Sequence, residues 1–128
     1  MLKDFDKWND IKKLIHYDGE SRLYHEREVW WCSLGVNIGF EQDGTGPEGE
    51  RPGLILKGFS KDVCLIIPLT TSTKKNPYHF SLGKIDGQEA FAIVSQIRLI
   101  DTKRLINKIC FVNQEVFEIL RKTVKGLL

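Results

Sequence analysis

Short apolar runs alternate with turn residues through the middle of the chain, and this pattern limits the fold more than any other feature of the sequence. The runs are rich in β-branched and aromatic residues, which favour strands. They span residues 28–34, 53–59, 63–69, 78–83, 89–100 and 105–112. Short turns separate two pairs of them, at 60–62 (SKD) and at 86–87 (DG). Strands joined in this way predict a small, curled, mostly antiparallel sheet.

One helix is predicted on each side of the strands. Residues 4–16 carry apolar side chains at helical spacing, so that they share one face: Phe5, Trp8, Ile11, Leu14 and Ile15. Asp18 and Gly19 are a plausible end for this helix. Asn113 is the predicted N-cap of the last helix, whose first turn carries Glu115. The chain therefore divides into an N-terminal helical extension, 1–26, and a mostly β domain with a C-terminal helix, 27–128.

Length and composition indicate one domain and no metal centre. The chain has 128 residues, of which 41% are hydrophobic, and this is enough for one compact core. No apolar run reaches the ~20 residues of a membrane span, and the polar N-terminus is unlike a secretory signal. Cys32, Cys64 and Cys110 lie far apart in apolar runs, without metal-site spacing. They predict reduced core cysteines in a cytoplasmic protein.

The segment 39–53 (GFEQDGTGPEGERPG) joins the first two apolar runs and is rich in glycine. Glycine provides the positive φ angles that a tight loop needs. A turn does not, however, need a Glu-Gln pair at one end and Arg51–Pro52 at the other. No Gly-Lys-Ser/Thr sequence closes the segment, so it is not a phosphate-binding P-loop. Either it is a mobile hairpin loop or it carries part of a site.

Two later segments also have polar residues next to apolar strands. In 68–75 (PLTTSTKK) a strand ends in hydroxyl residues followed by Lys74 and Lys75. This segment is either a solvated turn or a site where hydroxyls and lysines hold a phosphate. In 95–105 (SQIRLIDTKRL) Gln96 and Arg98 interrupt an apolar run, and the plainer interpretation is an outward strand face with Arg98 paired to Asp101.

Taken in order, five short motifs make the sequence resemble the PemK/MazF family of toxin endoribonucleases. They are Trp30–Trp31, 39–44 (GFEQDG), Arg51–Pro52, 68–72 (PLTTS) and 96–101 (QIRLID). The resemblance runs from residue 27 to about residue 121. It implies a small SH3-like barrel, usually a homodimer, that cuts single-stranded RNA at a preferred sequence without a metal or a cofactor. It also implies a cognate antitoxin as partner.

The resemblance assigns roles to individual residues. Arg51 and Thr70 stand where the family has its catalytic arginine and threonine, and Glu41 is a supporting candidate. The expected RNA-binding residues flank these positions: Phe40, Gln42, Thr71, Ser72, Lys74, Lys75, Gln96 and Arg98. Another family branch uses a histidine, an arginine and an aspartate where this chain has Phe40, Ile93 and Ser95, so that catalytic set is absent.

Metal-free cleavage of RNA needs a base for the ribose 2′-OH, donors for the phosphoryl oxygens and an acid for the leaving 5′-oxygen. Arg51 and Thr70 are suitable donors, but arginine is a poor base. Glu41 is the available carboxylate, and His79 is interpreted as an ordinary strand residue. Trp30 and Trp31 face opposite ways on a strand, so at most one of them serves the RNA groove.

Two differences from the family pattern leave alternatives open. The loop before Arg51 is longer than in compact members, and the N-terminal helix lies outside the pattern. A long loop that lifts Arg51 away from Thr70 would leave a degenerate barrel that only binds RNA. A barrel that binds a protein, as gyrase poisons do, is the other alternative, although the chain ends without the Trp-Gly-Ile tail of that class.

Overall fold

The computed structural model describes residues 2–46 and 48–128. Within these residues the chain forms two α-helices, seven strands and two short 3-10 helices. In order, they are α1 (Phe5–Asp18), β1 (Glu28–Ser33), β2 (Glu50–Gly58), β3 (Val63–Thr70), β4 (His79–Ile85), β5 (Gln88–Ile93), a 3-10 helix at Val94–Gln96, β6 (Arg98–Asp101), a second 3-10 helix at Thr102–Arg104, β7 (Leu105–Phe111) and α2 (Gln114–Gly126).

The strands form one antiparallel sheet in the order β4-β5-β3-β2-β1-β7, and β6 also pairs with β3. β3 is the centre of the sheet because β2 lies along one of its edges, and β6 and β5 follow one another along the other. The sheet therefore curls into a half-barrel with a helix at each end of the chain. This confirms the predicted mostly β fold with flanking helices.

The sequence pattern was wrong about one strand. It predicted a single strand over 89–100, whereas Val94–Gln96 form a 3-10 helix that divides the run into β5 and β6. Ala92 pairs with Leu69 and Arg98 pairs with Ile66, so the run is longer than the stretch of β3 that it follows. The 3-10 helix takes up the extra length.

The strand β2 begins earlier than the predicted start at Gly53. It begins at Glu50, because Thr45 and Glu50 form a β-bridge that closes the glycine-rich loop. Arg51 is therefore a strand residue, and it lies opposite Cys32 of β1. A position on a strand fixes the backbone of Arg51 far better than a position in a free loop.

The interior of the half-barrel is apolar and contains two clusters of side chains. The first is lined by β2, β3 and β5 and is closed by Phe117 and Leu120 of α2. The second includes Cys32 and Cys64. Asn113 caps α2 as predicted, since its side-chain oxygen accepts the N–H groups of Glu115 (2.8 Å) and Val116 (3.3 Å).

The three cysteines are free thiols, as predicted. Burial raises the pKa of the Cys32 thiol to about 12 and that of the Cys64 thiol to about 11. Both groups are therefore protonated near neutral pH and behave as small apolar core residues. No helix in the described part of the chain is long and apolar enough to span a membrane.

The N-terminal helix fully buries one large side chain, that of Trp8. Trp8 is 6% exposed, whereas Phe5 and Leu14 of the predicted apolar face are about half exposed or more. The Trp8 ring packs against Gly35, and the Arg104 guanidinium lies 5.8 Å from the ring centroid. The helix ends at Gly19 as predicted. The predicted helix is thus correct, but the face that it buries is narrower than its apolar pattern suggests.

Gly35 allows a direct test of this contact. Its φ is +66°, and a Cβ placed there would lie 2.0 Å from the Trp8 ring. Gly39 also has a positive φ (+55°), but a Cβ there would meet nothing within 4 Å. We expect Gly39→Ala to lower the free energy of unfolding by about 1 kcal/mol through backbone strain alone. Gly35→Ala should lower it by a further amount of about 1–3 kcal/mol because of the clash.

Urea denaturation of the two variants measures this difference. In a Trp8→Ala background the ring is gone, so Gly35→Ala should cost no more than Gly39→Ala. Equal costs in the parent background would contradict the packing of Trp8 on Gly35.

Candidate active site

A groove of about 570 Å³ opens where β2 begins and β3 ends. It brings together four of the residues that the sequence predicted for the site: Arg51, Thr70, Thr71 and Ser72. β1, β7 and the turn between β4 and β5 supply other walls, including Trp31, Ile109 and Asp86. Trp30 is buried in the core, so Trp31 is the one of the pair that faces the groove, as their alternation on the strand requires.

Two backbone carbonyls hold the guanidinium of Arg51. Its Nε donates to the carbonyl of Asp43 (2.7 Å), and its Nη1 donates to the carbonyl of Leu69 (2.9 Å). Leu69 immediately precedes Thr70, so these bonds keep the guanidinium beside the threonine. The long loop therefore does not lift Arg51 away from Thr70. Burial lowers the pKa of Arg51 below its ordinary value, although the nearby Asp43 carboxylate opposes that shift.

The hydroxyl segment forms a turn that its own side chains stabilise. The Thr70 Oγ1 accepts the N–H of Ser72 (3.1 Å), and the Ser72 Oγ accepts the N–H of Lys74 (3.3 Å). Such hydroxyl-to-backbone bonds are a common way to hold a turn. They use the hydroxyl oxygens as acceptors, so the O–H of Thr70 can still donate to a bound anion. The turn and the phosphate-site interpretations of this segment are therefore compatible.

Gln96 holds the other side of the glycine-rich loop. Its Oε1 accepts the N–H of Gln42 (3.3 Å), and its Nε2 donates to the carbonyl of Phe40 (3.2 Å). The side-chain amide thus bonds to two backbone groups of the loop. The Phe40 ring itself is 91% exposed and free to stack on a base. RNA contacts of Gln42 and Gln96 stay a prediction, and the bonds of the Gln96 side chain give it a part in ordering the loop.

Glu41, a predicted site residue, lies outside the groove. The Glu41 side chain is exposed and accepts the N–H of Ile38 (3.2 Å), and Glu41 does not line the groove. The acidic residue that does line it, in the described part of the chain, is Asp86, which the sequence marked only as a turn residue. Asp86 has a φ of +52° in the turn between β4 and β5. A sequence pattern could locate that turn, but not its place in the wall of the groove, which depends on how β5 pairs with β3.

The predicted basic residues lie outside the groove. Lys74 and Lys75 follow the hydroxyl turn and line a neighbouring cavity of about 460 Å³ together with His79 and Phe91. Arg98 is half-buried on β6. In the described part of the chain Arg98 does not pair with Asp101, whose carboxylate accepts the N–H of Lys103 (2.8 Å) instead.

Neither the larger cavity nor any set of metal ligands offers another candidate site among the described residues. A larger, shallow cavity of about 720 Å³ lies beside 21–26 and 58–61 and contains none of the predicted site residues. Among residues 2–46 and 48–128, no group of three or more His, Cys, Asp or Glu side chains is arranged to hold a metal ion.

Residues 25–128 match the family described as PemK-like, MazF-like toxin of type II toxin-antitoxin system. The chain is similar in fold to MazF (Form-I) from Deinococcus radiodurans, with 19% identity, a TM-score of 0.68 and coverage of 83% of this chain and 96% of that chain. No curated protein matches the chain significantly.

Two solved complexes are also similar. The MazE–MazF structure (Form-II) from Deinococcus radiodurans has 17% identity and a TM-score of 0.63, and the match covers 83% of this chain and 95% of that chain. An endoribonuclease in complex with its cognate antitoxin, from a mycobacterial species, has 17% identity and a TM-score of 0.59, with 83% and 98% covered. At such identities the structures show that the fold is shared.

Proposed function

The chain belongs to the PemK-like, MazF-like toxin family of type II toxin–antitoxin systems, and on that premise we propose that it is an endoribonuclease. We propose further that it cuts single-stranded RNA at a preferred sequence, without a metal, in the groove that holds Arg51 and Thr70. One observation carries this proposal. Arg51 Nη1 bonds to the carbonyl of Leu69, the residue before Thr70, and Arg51 and Thr70 line the same open groove.

The reaction is a transesterification within the RNA. The ribose 2′-oxygen loses its proton and attacks the adjacent phosphorus, and the bond from phosphorus to the 5′-oxygen breaks. The products are a 2′,3′-cyclic phosphate and a 5′-hydroxyl, with the proton returned to the leaving oxygen. Free N–H groups of Arg51 and the O–H of Thr70 donate to the phosphoryl oxygens, where negative charge grows in the transition state.

The base is the least obvious part of the mechanism. We assign it to Asp86, because this acidic residue lines the same groove as Arg51. Glu41 was the candidate base from the sequence. Its side chain accepts the N–H of Ile38 instead, and it does not line the groove. Burial lowers the pKa of Arg51, and this direction favours transfer of a proton from the guanidinium to the leaving oxygen.

RNA outside the cut is held by aromatic and basic groups in this proposal. Phe40 and Trp31 supply exposed or half-exposed rings on which bases can stack. Lys74 and Lys75 lie just after the hydroxyl turn and attract the neighbouring phosphates. Gln42, Thr71, Ser72, Gln96 and Arg98 complete the expected RNA-binding set.

The proposal includes partners and location. Two of the similar solved structures contain an antitoxin, and this supports a cognate antitoxin for this chain. A homodimer and a cytoplasmic location also belong to the proposal, the latter because messenger RNA is the substrate of the reaction.

A barrel that binds RNA without cutting it is the second candidate. The observation that favours it is that Nε and Nη1 of Arg51 already bond to backbone carbonyls. An arginine with this pair of bonds would also serve a purely structural purpose. The two candidates differ in what happens when Arg51 is replaced.

We expect Arg51→Ala to reduce cleavage at least about 10²–10³-fold, the usual effect of removing a preorganised donor. Arg51→Lys keeps the positive charge but not the planar fork, so it should remain well below the parent. Binding of an RNA with a 2′-deoxy nucleotide at the cut, which cannot react, should fall much less than the rate. Cleavage by purified Arg51→Ala within a few-fold of the parent would assign Arg51 a structural role only.

Two substitutions at Thr70 test whether its hydroxyl is needed for cleavage. Thr70→Val removes the hydroxyl and keeps the shape, whereas Thr70→Ser keeps the hydroxyl. We expect the first to lose activity and the second to retain most of it. Full activity of Thr70→Val would move the donor role to Thr71 or Ser72.

We expect Asp86→Asn to lower kcat/KM by about 10²-fold or more, because a general base contributes on that scale. Asparagine tolerates the positive φ of this position, so the turn should persist. Glu41→Gln is the control and should change kcat/KM by only a few-fold. Initial rates on one defined RNA measure both, and the reverse ranking would return the base to Glu41.

The ends of the cut RNA test the chemistry itself. Cleavage by the full chain should persist in EDTA. The downstream fragment should carry a 5′-hydroxyl, so that a polynucleotide kinase labels it without prior phosphatase treatment. A 2′-deoxy nucleotide on the 5′ side of the cut should block cleavage at that bond. A 5′-phosphate product would mean that water or a metal-bound hydroxide attacks, and that transesterification is wrong.

A further inference from the structure

We propose that the N-terminal segment is part of the working site, and that Lys3 positions the Arg51 guanidinium through Asp43. The proposal rests on the function proposed above. It gives α1, for which the family resemblance provides no role, a defined task in the reaction.

Lys3 is bound as tightly as a core residue although it lies near the N-terminus. Its side chain is 8% exposed. Its Nζ lies 3.0 Å from the Asp43 Oδ2 and donates to the carbonyls of Asn37 (2.5 Å) and Gly39 (2.8 Å). An ammonium group has three N–H donors, so these acceptors account for all of them. This geometry distinguishes the pair from a surface salt bridge, which is usually weak and loosely held.

Asp43 connects Lys3 to the groove. Its Oδ2 pairs with Lys3, its Oδ1 accepts the N–H of Asn37 (2.6 Å), and its carbonyl accepts the Nε–H of Arg51 (2.7 Å). The side chain and the carbonyl belong to the same residue, so the bonds that hold the side chain also restrain the backbone that carries the carbonyl. Asp43 thus links Lys3 to Arg51 through one ion pair and one hydrogen bond. A movement of less than 1 Å at a positioning contact can cost a large factor in rate.

The helix itself is fixed so that Lys3 points at the loop. Asp4, the next residue, caps α1 by accepting the N–H of Lys7 (2.9 Å). Trp8 packs one turn later against Gly35, at the start of the same loop. At the other end of α1, the Nζ of Lys103 donates to the carbonyl of His16 (3.1 Å). The N-terminal segment therefore restrains the loop through Trp8 and Lys3.

Lys3 lies outside the region that matches the family, whereas its partner Asp43 lies inside it. Asp43 and Arg51 lie within the region 25–128 that matches the family, whereas Lys3 and α1 precede it. The long glycine-rich loop and the helix thus occur together in one chain and contact each other. We infer that the helix orders the loop that contacts Arg51.

The test compares three single variants in the full chain. Lys3→Met keeps the length of the side chain and removes its charge, and Lys3→Arg restores the charge. Lys12→Met is the control, since it removes an exposed charge from α1, the helix that follows Lys3. We expect Lys3→Met to lower kcat about tenfold with KM changed only a few-fold. Lys3→Arg should recover most of the rate, and Lys12→Met should match the parent.

Hydrogen exchange of the loop provides a readout that does not depend on RNA. Amides in 35–46 should exchange faster in Lys3→Met than in the parent, whereas amides of α2 should be unchanged. Asp43→Asn keeps an acceptor for the N–H of Asn37 and loses the ion pair, so it should show the same change. The double variant should be no slower than either single variant, because both substitutions break one connection.

Each result decides the proposal. Parental kcat and parental loop exchange in Lys3→Met would overturn it, and so would independent, multiplicative effects of the Lys3 and Asp43 variants. If the parent chain does not cut RNA at all, the proposed function fails, yet the exchange data still show whether Lys3 orders the loop. Were Lys3→Met unable to fold, Asp43→Asn would replace it, because it removes the same ion pair, and parental kcat with parental loop exchange in that variant would overturn the proposal.

Discussion

The rest of the site depends on the two bonds by which Arg51 joins a loop to a strand. Nε reaches the carbonyl of Asp43 in the glycine-rich loop, and Nη1 reaches the carbonyl of Leu69 at the end of β3. A hydrogen bond from a charged donor contributes roughly 1.5–3 kcal/mol, more than a neutral one. Because Arg51 itself is held on β2, the side chain fixes the loop relative to the central strand. The groove exists where these three segments meet.

Two glycines of the loop, Gly44 and Gly49, allow close packing of the backbone. A Cβ on Gly44 would lie 1.8 Å from the carbonyl oxygen of Gly49, and one on Gly49 would lie 2.6 Å from the Cα of Gly35. At these two positions the backbone packs on backbone and leaves no room for a side chain. Ordering such a chain costs about 1–2 kcal/mol per residue in backbone entropy. Lys3 and Gln96 offset this cost by bonding to loop carbonyls and amides from opposite sides.

Local patterns predicted what depends on local structure. Strand composition, the Asn113 cap and the turn at 60–62 could be read directly, and the motif order located Arg51 beside the hydroxyl turn. The 3-10 helix at Val94–Gln96, which divides the run into two strands, could not be predicted in this way. It depends on which residues of β3 pair with β5 and which pair with β6. Asp86 in the groove and the Lys3–Asp43 pair were missed for a similar reason. Both bring together residues far apart in sequence, and only strand register and helix docking decide such contacts.

The bonds that make Arg51 look structural also make it a better donor. In water a guanidinium is free to rotate, and orienting it toward a growing charge costs free energy during the reaction. Here two of its N–H groups are fixed to backbone carbonyls before any substrate arrives, so the remaining groups already point in set directions. Preorganised donors of this kind stabilise a transition state without that cost. Partial burial strengthens the effect by lowering the local dielectric, and the shift in the Arg51 pKa is another consequence of the same burial. A structural and a chemical role for this arginine are therefore two results of one geometry.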